Sequence, residues 1–208
     1  MDLDDGPCFT QDDVRVEEKL RVYDGFFKMH RYKLTHKMIE GGWSKSLIRE
    51  CFDRPPAVGV LLYDPYKDSV VLVEQFRIGA LESHESPWQL ELVAGIVDKK
   101  GETPESVAHR EAVEEAGATV LDLEYICQYF ASPGGSSEQI TLYCGGIDST
   151  GVGGVHGLEE EGEDIWVQVF SREDAFKAMA ENYISSASAI IALQWLELHW
   201  KRLQEKWQ

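Results

Sequence analysis

Alternation of apolar and polar residues dominates the first part of the chain. The segments VEEKLRVYD and FFKMHRYKLTH alternate on either side of Asp24-Gly25, a turn signal, and predict an antiparallel β segment over 14–38. Residues 46–52 predict a short strand. AVGVLLYD and SVVLVEQFRI are β-branched apolar runs joined by DPYKD, which predicts a hairpin. WQLELVAGIV predicts a further strand, broken at Gly95.

A helix with well-marked ends follows this strand. Thr103 suits the N-cap, Pro104 suits the first helical position, and Gly117 suits the C-terminal cap. A small-residue face able to lie close on a sheet is formed by three alanines spaced four apart, Ala108, Ala112 and Ala116. These signals predict a helix that packs directly against the strands.

The remaining segments alternate between strand and helix patterns. LDLEYICQYFA, QITLYCGGI and IWVQVF predict strands, and a Gly- and Glu-rich loop lies between the last two. Residues 171–183 and about 186–206 predict two helices, the second largely buried. We therefore expect an α+β protein with an N-terminal tail and β domain over 1–53 and a main domain over 54–208.

Composition narrows the class of protein. The chain has 208 residues with 20 Lys and Arg against 37 Asp and Glu, a formal net charge of -17. Nucleic acids and anionic membranes favour basic proteins, so neither is expected as a partner. No apolar run approaches the roughly 20 residues of a membrane span, and the acidic start lacks the order of a signal peptide. Four cysteines without a CxxC pair agree with a reduced, cytoplasmic protein.

Three glutamates on the predicted helix are the first candidate for chemistry. Glu111, Glu114 and Glu115 are separated by three and four residues, which places them on neighbouring surface positions. Such like charges are unfavourable unless a cation neutralises them, and Arg110 supplies only one positive charge. The pattern agrees with a Mg²⁺ site or with a solvated acidic helix face.

The surrounding residues resemble the Nudix box. Its fixed positions read as follows in this chain: Gly95, Glu102, Arg110, Glu111, Glu114, Glu115 and Gly117. So many fixed positions make a chance match very unlikely. One departure is the spacer IVDKKG between Gly95 and Glu102, which has six residues where the family has five. The extra residue falls in a loop, where insertion is tolerated best.

The resemblance extends to the bacterial ADP-ribose pyrophosphatase branch of the Nudix superfamily. Pro133 follows Gly117 by 16 residues, and further similarity lies in VVLVEQFRIGA, ESPWQLELVAG, HGLEEEGEDI and IIALQWLELHW. This resemblance implies a Nudix fold, a mixed β-sheet held between helices, with a small N-terminal β domain exchanged across a homodimer. It also implies hydrolysis of ADP-ribose to AMP and ribose 5-phosphate with Mg²⁺, for which Mn²⁺ is a possible substitute.

The same resemblance implies a set of metal ligands and catalytic groups. Glu111 and Glu115 are the expected ligands together with the backbone carbonyl of Ala94, and Glu114 is a further ligand or catalytic partner. Glu161 is the candidate general base, with Glu163 as an added metal ligand or the alternative base. Structural roles in the box fall to Gly95, Glu102, Arg110 and Gly117. The run of glutamates from 159 to 163 also fits a solvated acidic loop.

Candidate substrate contacts come from several segments. Arg77 matches an arginine of this branch and is the expected phosphate partner, and Arg49 is a further candidate. Ser132 and Glu138 flank the Pro-Gly-Gly turn and resemble ribose-contacting positions. Phe26 is a candidate for stacking on adenine, although adjacent aromatic residues in a β segment are also typical of a core.

Two other functions agree with the same motifs. One is a broader nucleoside diphosphate sugar hydrolase, and the other is a Nudix protein that senses ADP-ribose without cleaving it. The carboxylate cluster opposes the second, because a pure binder has no need for such a costly set of charges.

Overall fold

The computed structural model describes residues 9–82, 86–158 and 162–208, which form eleven β-strands and three α-helices. The chain divides into two compact units. The first contains the N-terminal part up to Arg54 together with Phe130–Glu138, and the second contains Pro55–Tyr129 and Gln139–Gln208. The domain boundary expected after residue 53 stays a prediction.

The first unit is built on a three-stranded antiparallel sheet. Its strands are β1 (Val14–Asp24), β2 (Lys28–His36) and β3 (Leu47–Asp53), in that spatial order. The 130–138 segment joins the end of β3, where Phe52 N donates to Gly135 O at 2.7 Å. All eleven residues of β1 are exposed, so the apolar side chains of this strand are not buried by any part of the chain that the structure describes.

The second unit contains an eight-stranded mixed sheet with helices on both faces. Its elements are β4 (Ala57–Asp64), β5 (Ser69–Phe76), β6 (Trp88–Glu91), β7 (Val93–Ile96), α1 (Pro104–Ala116), β8 (Asp122–Phe130), β9 (Gln139–Gly146), β10 (Gly154–His156), β11 (Ile165–Ser171), α2 (Arg172–Ala180) and α3 (Ala187–Trp207). The spatial order is β10-β11-β5-β4-β9-β8, with β6 paired to β5 and β7 to β4. Strands β4 and β9 are parallel.

Alternation along β4 and β5 divides the apolar residues between two cores. Val58 and Val60 pack with the α1 alanines on one face, whereas Leu61 and Tyr63 pack with α2 and α3 on the other. Because successive strand residues point to opposite faces, a strand buried on both sides reads as one continuous apolar run. The predicted α+β class and the N-terminal antiparallel sheet are confirmed.

The ends of α1 follow the sequence signals. The Thr103 side chain accepts from Ser106 N, Pro104 occupies the first position, and Gly117 takes the left-handed conformation with φ 62°. The expected break in the preceding strand lies elsewhere. The strand divides at Leu92, where β6 paired to β5 gives way to β7 paired to β4, while Gly95 lies inside β7.

Across the described part of the chain, no helix is both long and apolar enough to cross a membrane.

Candidate active site

The buried end of the acidic cluster is Glu115. Its side chain is 4% exposed, and Oε2 accepts a hydrogen bond from Ala94 N at 3.0 Å. Helical spacing brings Glu111 to the same face, one turn earlier, and both carboxylates lie against β7. The contact with Ala94 therefore ties the helix to the strand that precedes it.

Arg110 donates hydrogen bonds to the other three glutamates of the Nudix box. Its Nε donates to Glu102 Oε1 at 3.0 Å, and Nη1 donates to Glu111 Oε1 at 2.7 Å and to Glu114 Oε2 at 2.8 Å. Although burial opposes its charge, the bonds to Glu114 and Glu102 and the charge of Glu111 raise the pKa of Arg110. One guanidinium thus fixes the loop at Glu102 to the helix.

Burial makes the inner carboxylates reluctant to ionise. Removal from water is the main cause that raises the pKa of Glu111 to about 7 and the pKa of Glu115 to about 8. The charge of Glu163 raises the pKa of both, whereas Arg110 lowers that of Glu111, and Ala94 N and Arg77 lower that of Glu115. Glu163 therefore opposes the ionisation of both helix glutamates, and Arg77 favours that of Glu115.

Gly95 makes room for the Glu111 carboxylate. A Cβ atom at position 95 would lie 1.8 Å from Glu111 Oε1, well inside van der Waals contact. A side chain of any kind at this position would push the carboxylate off the strand. The requirement for glycine is therefore steric, arising from the close approach of a functional group.

Glu163 closes the base of the acidic loop. Leu158 N donates to Glu163 Oε2 at 3.1 Å, and Glu163 N donates to Leu158 O at 3.2 Å. Gly157 takes φ 106° where the chain enters the loop. Glu161, the expected base, lies outside the described residues.

Arg77 follows the end of β5 and pairs with Glu91 of the neighbouring strand. The Arg77 Nε–Glu91 Oε2 distance is 2.6 Å, and the Arg77 side chain is 43% exposed against 17% for Glu91. The mostly buried carboxylate holds one edge of the guanidinium. Its Nη groups have no hydrogen bond to any residue in the described ranges and stay available for a phosphate group.

The other expected substrate contacts lie in the first unit. Glu138 Oε1 accepts from Arg54 Nη2 at 2.6 Å, and the Arg54 guanidinium lies 4.4 Å from the centre of the Phe27 ring. Phe26 is 87% exposed and packs edge-on against Phe27.

Ser132 and Arg49 complete this group of candidates. Ser132 O accepts from Ser136 N at 2.8 Å within the turn. Arg49 is exposed and donates to the adjacent Ile48 O at 2.9 Å. The aromatic expected to bind a base is therefore a surface residue of its unit, and Arg49 has no side-chain partner among the described residues.

Comparison with known proteins decides the family. The model of the NUDIX domain matches residues 53–191. The chain belongs to the NUDIX family. It is 47% identical to the ADP-ribose pyrophosphatase of Haemophilus influenzae over 203 residues, 96% of this chain and 93% of that protein. It is 43% identical to the ADP-ribose pyrophosphatase of Escherichia coli K12 over 199 residues, 96% and 95% of the two chains.

More distant relatives extend the comparison. The GDP-mannose pyrophosphatase of Pectobacterium atrosepticum is 32% identical over 186 residues, 87% of this chain and 92% of that protein. A crystal structure of an ADP compounds hydrolase superposes with a TM-score of 0.67 at 18% identity, covering 91% of this chain and 97% of that one. The expected NUDIX fold and the likeness to the ADP-ribose pyrophosphatase branch are confirmed.

The carboxylates of the NUDIX site accept hydrogen bonds from N–H groups of the protein itself. Within residues 9–82, 86–158 and 162–208, no three His, Cys, Asp or Glu side chains converge in a way that would hold a metal. Arg110 donates hydrogen bonds to Glu111 and Glu114. Ala94 N donates to Glu115, and Leu158 N donates to Glu163.

The chemistry of these groups nevertheless fits a hard dication. Every side chain that could bind the metal ion supplies a carboxylate oxygen, the ligand type that Mg²⁺ favours. Burial and like charge oppose the ionised forms of Glu111 and Glu115, and a bound dication would offset both effects.

Sequence reasoning missed two partners of the NUDIX site residues. Glu91 holds Arg77, and Arg54 holds Glu138 while stacking on Phe27. The alternation of WQLE, with Gln89 and Glu91 on one face, was a signal for the first pair. Nothing in the local pattern around Arg54 indicates a partner 84 positions away.

Proposed function

We propose that this NUDIX protein is a Mg²⁺-dependent ADP-ribose pyrophosphatase that releases AMP and ribose 5-phosphate. The observation that carries the proposal is the burial of the Glu111 and Glu115 carboxylates against β7, where Arg110 Nη1 and Ala94 N donate hydrogen bonds to them. Support for the substrate comes from the names of relatives that are 43–47% identical along 96% of the chain.

The residues divide the work between binding and proton transfer. Glu111, Glu115 and the Ala94 carbonyl would hold Mg²⁺, with Glu114 as a further ligand or partner; Mn²⁺ is a possible substitute. When bound, the dication supplies charge neutralisation for the diphosphate and activation of a water molecule. Arg77 binds a diphosphate oxygen through its available Nη groups, and Glu91 keeps the guanidinium in place.

The proton of the attacking water passes to a loop glutamate. Glu161 is the first candidate and Glu163 the alternative. Glu163 Oε2 accepts a hydrogen bond from Leu158 N, which orients the carboxylate and leaves Oε1 for a proton or a metal ion. A base carried on a loop allows the site to be completed only when substrate is present.

The test is an assay of purified protein with Mg²⁺ against ADP-ribose, ADP-glucose, GDP-mannose, NADH and diadenosine polyphosphates. We expect AMP and ribose 5-phosphate to appear fastest from ADP-ribose, and chelation to stop the reaction. Comparable rates on GDP-mannose would favour the broader nucleoside diphosphate sugar hydrolase, which the 32% identical relatives support. Tight ADP-ribose binding without turnover would favour a sensor.

We also propose that the first unit takes part in a domain-swapped homodimer. Val16 is 55% and Val22 46% exposed on a strand that is exposed throughout, and apolar strand surface of this kind needs a covering partner. Light scattering should give about twice the chain mass of 23.5 kDa. A monomeric mass in active protein would contradict the dimer.

A further inference from the structure

One buried amide has no explanation in the fold. In the described part of the chain, two buried side-chain polar atoms lack a hydrogen bond, His30 Nδ1 and Gln75 Nε2. His30 Nδ1 at least faces a carboxylate, with Asp53 Oδ2 3.3 Å away. Gln75 is 7% exposed, and no described residue accepts a hydrogen bond from its Nε2. An unpaired buried donor carries a free-energy cost and calls for a specific reason.

Gln75 lies two residues before Arg77 and on the same face of the extended chain. Val71 and Val73 of β5 belong to the core that includes α1. Because strand residues two apart share a face, Gln75 continues this row and Arg77 is the next member. The backbone of Arg77 stays extended, with φ -125° and ψ 112°, so the alternation holds up to that residue. Gln75 thus stands between the α1 core and the arginine.

The cross-strand neighbours of Gln75 already have partners. Gln89 lies directly opposite, and its Nε2 donates to Ser86 O while its Oε1 accepts from Ser185 Oγ. Glu91 lies opposite Val73 and accepts a hydrogen bond from Arg77 Nε. Neither neighbour therefore uses the Gln75 donor, which has no hydrogen-bond partner within residues 9–82, 86–158 and 162–208.

We propose that Gln75 is a substrate-binding residue whose Nε2 donates to an oxygen of the diphosphate beside Arg77. This inference rests on the proposed function. A neutral amide suits the position, because a hydrogen bond to a charged oxygen is stronger than one between neutral groups. The amide also adds no further negative charge beside Glu111, Glu115 and Glu163.

The experiment compares Gln75→Leu with Gln128→Leu. Gln128 is a matched control on β8, whose Nε2 donates to Thr141 Oγ1 at 3.2 Å. We expect Gln75→Leu to raise the KM for ADP-ribose roughly 10- to 100-fold, with an equal or higher melting temperature because the unpaired amide is gone. Gln128→Leu should lower the melting temperature and leave KM unchanged, since it breaks a satisfied pair.

A second variant protects the test against misfolding of the leucine protein. Gln75→Glu keeps the shape and replaces the donor by a carboxylate, so KM should rise further than in Gln75→Leu. An unchanged KM in both variants, or a lower melting temperature with unchanged KM, would overturn the inference while wild-type hydrolysis leaves the proposed function standing. A wild-type protein without activity on ADP-ribose would overturn the proposed function and this inference with it.

Discussion

Replacing Glu115 with Gln should stop hydrolysis and stabilise the metal-free protein. The amide has the same shape, and its oxygen can still accept from Ala94 N, which donates to the carboxylate. The change removes an ionisable group that burial keeps protonated in the metal-free protein, and it removes a metal ligand. We expect kcat to fall by at least roughly 100-fold while the fold is retained.

The gain in stability follows from the pKa of Glu115. Folding raises the pKa of this carboxyl from 4.5 to about 8, mainly because burial disfavours the charged form. The folded protein therefore holds a proton that the unfolded chain releases, so metal-free stability is full below pH 4.5 and falls as the pH rises towards 8. At about 1.4 kcal/mol for each pH unit, the loss at pH 7 is about 3 kcal/mol.

Only part of this loss is recovered in the variant. The new amide N–H group must find an acceptor, which reduces the expected gain to about 1–2 kcal/mol, or roughly 3–8 °C in melting temperature. The gain should grow between pH 5 and pH 8, because the ionisation that opposes folding grows over the same range.

The assay is thermal unfolding at pH 5 and pH 8, with chelator and with Mg²⁺, beside the hydrolysis rate. Glu105→Gln is the matched control on the same helix. Its pKa is lowered by its own backbone N–H and by Tyr143, whose OH donates to it at 2.8 Å, so its loss should destabilise slightly and spare activity. Undiminished turnover in Glu115→Gln, or metal-free melting equal to wild type at pH 8, would refute the reasoning.

Two further predictions concern packing and acid stability. Gly95→Ala should lower kcat/KM by about 100-fold, because the new methyl displaces the Glu111 carboxylate. Gly79→Ala, whose methyl meets no atom of the described residues within 4 Å, should keep wild-type kinetics. Glu124, paired with Arg202, has a pKa lowered from 4.5 to about 2, mainly by that hydrogen bond. The ion pair stabilises the protein above pH 4.5, and this stabilisation is lost as the pH falls towards 2. Glu124→Gln should therefore lower the free energy of unfolding by about 1 kcal/mol at pH 7 and leave it unchanged at pH 2. Denaturant unfolding at both pH values measures this difference, and an equal loss at both would contradict the prediction.

Local patterns were sufficient where the physical cause is local. The cap at Thr103, Pro104 in the first turn and the left-handed Gly117 bound α1 because each acts through the backbone of neighbouring residues. The break at Leu92 was missed, because it depends on the two strands between which the chain passes, and a local apolar run carries no record of them.

The order of residues alone was enough to predict that Glu111 and Glu115 share a helix face, since a spacing of four residues has that result in any α-helix. Only the tertiary structure brought Glu163 and Arg77 into reach of that face, because they come from separate strands and loops whose approach depends on sheet order. It also decided the steric need for Gly95 and the unpaired state of Gln75 among the described residues. Both depend on how closely a distant side chain approaches or fails to approach, and spacing along a chain does not encode that distance.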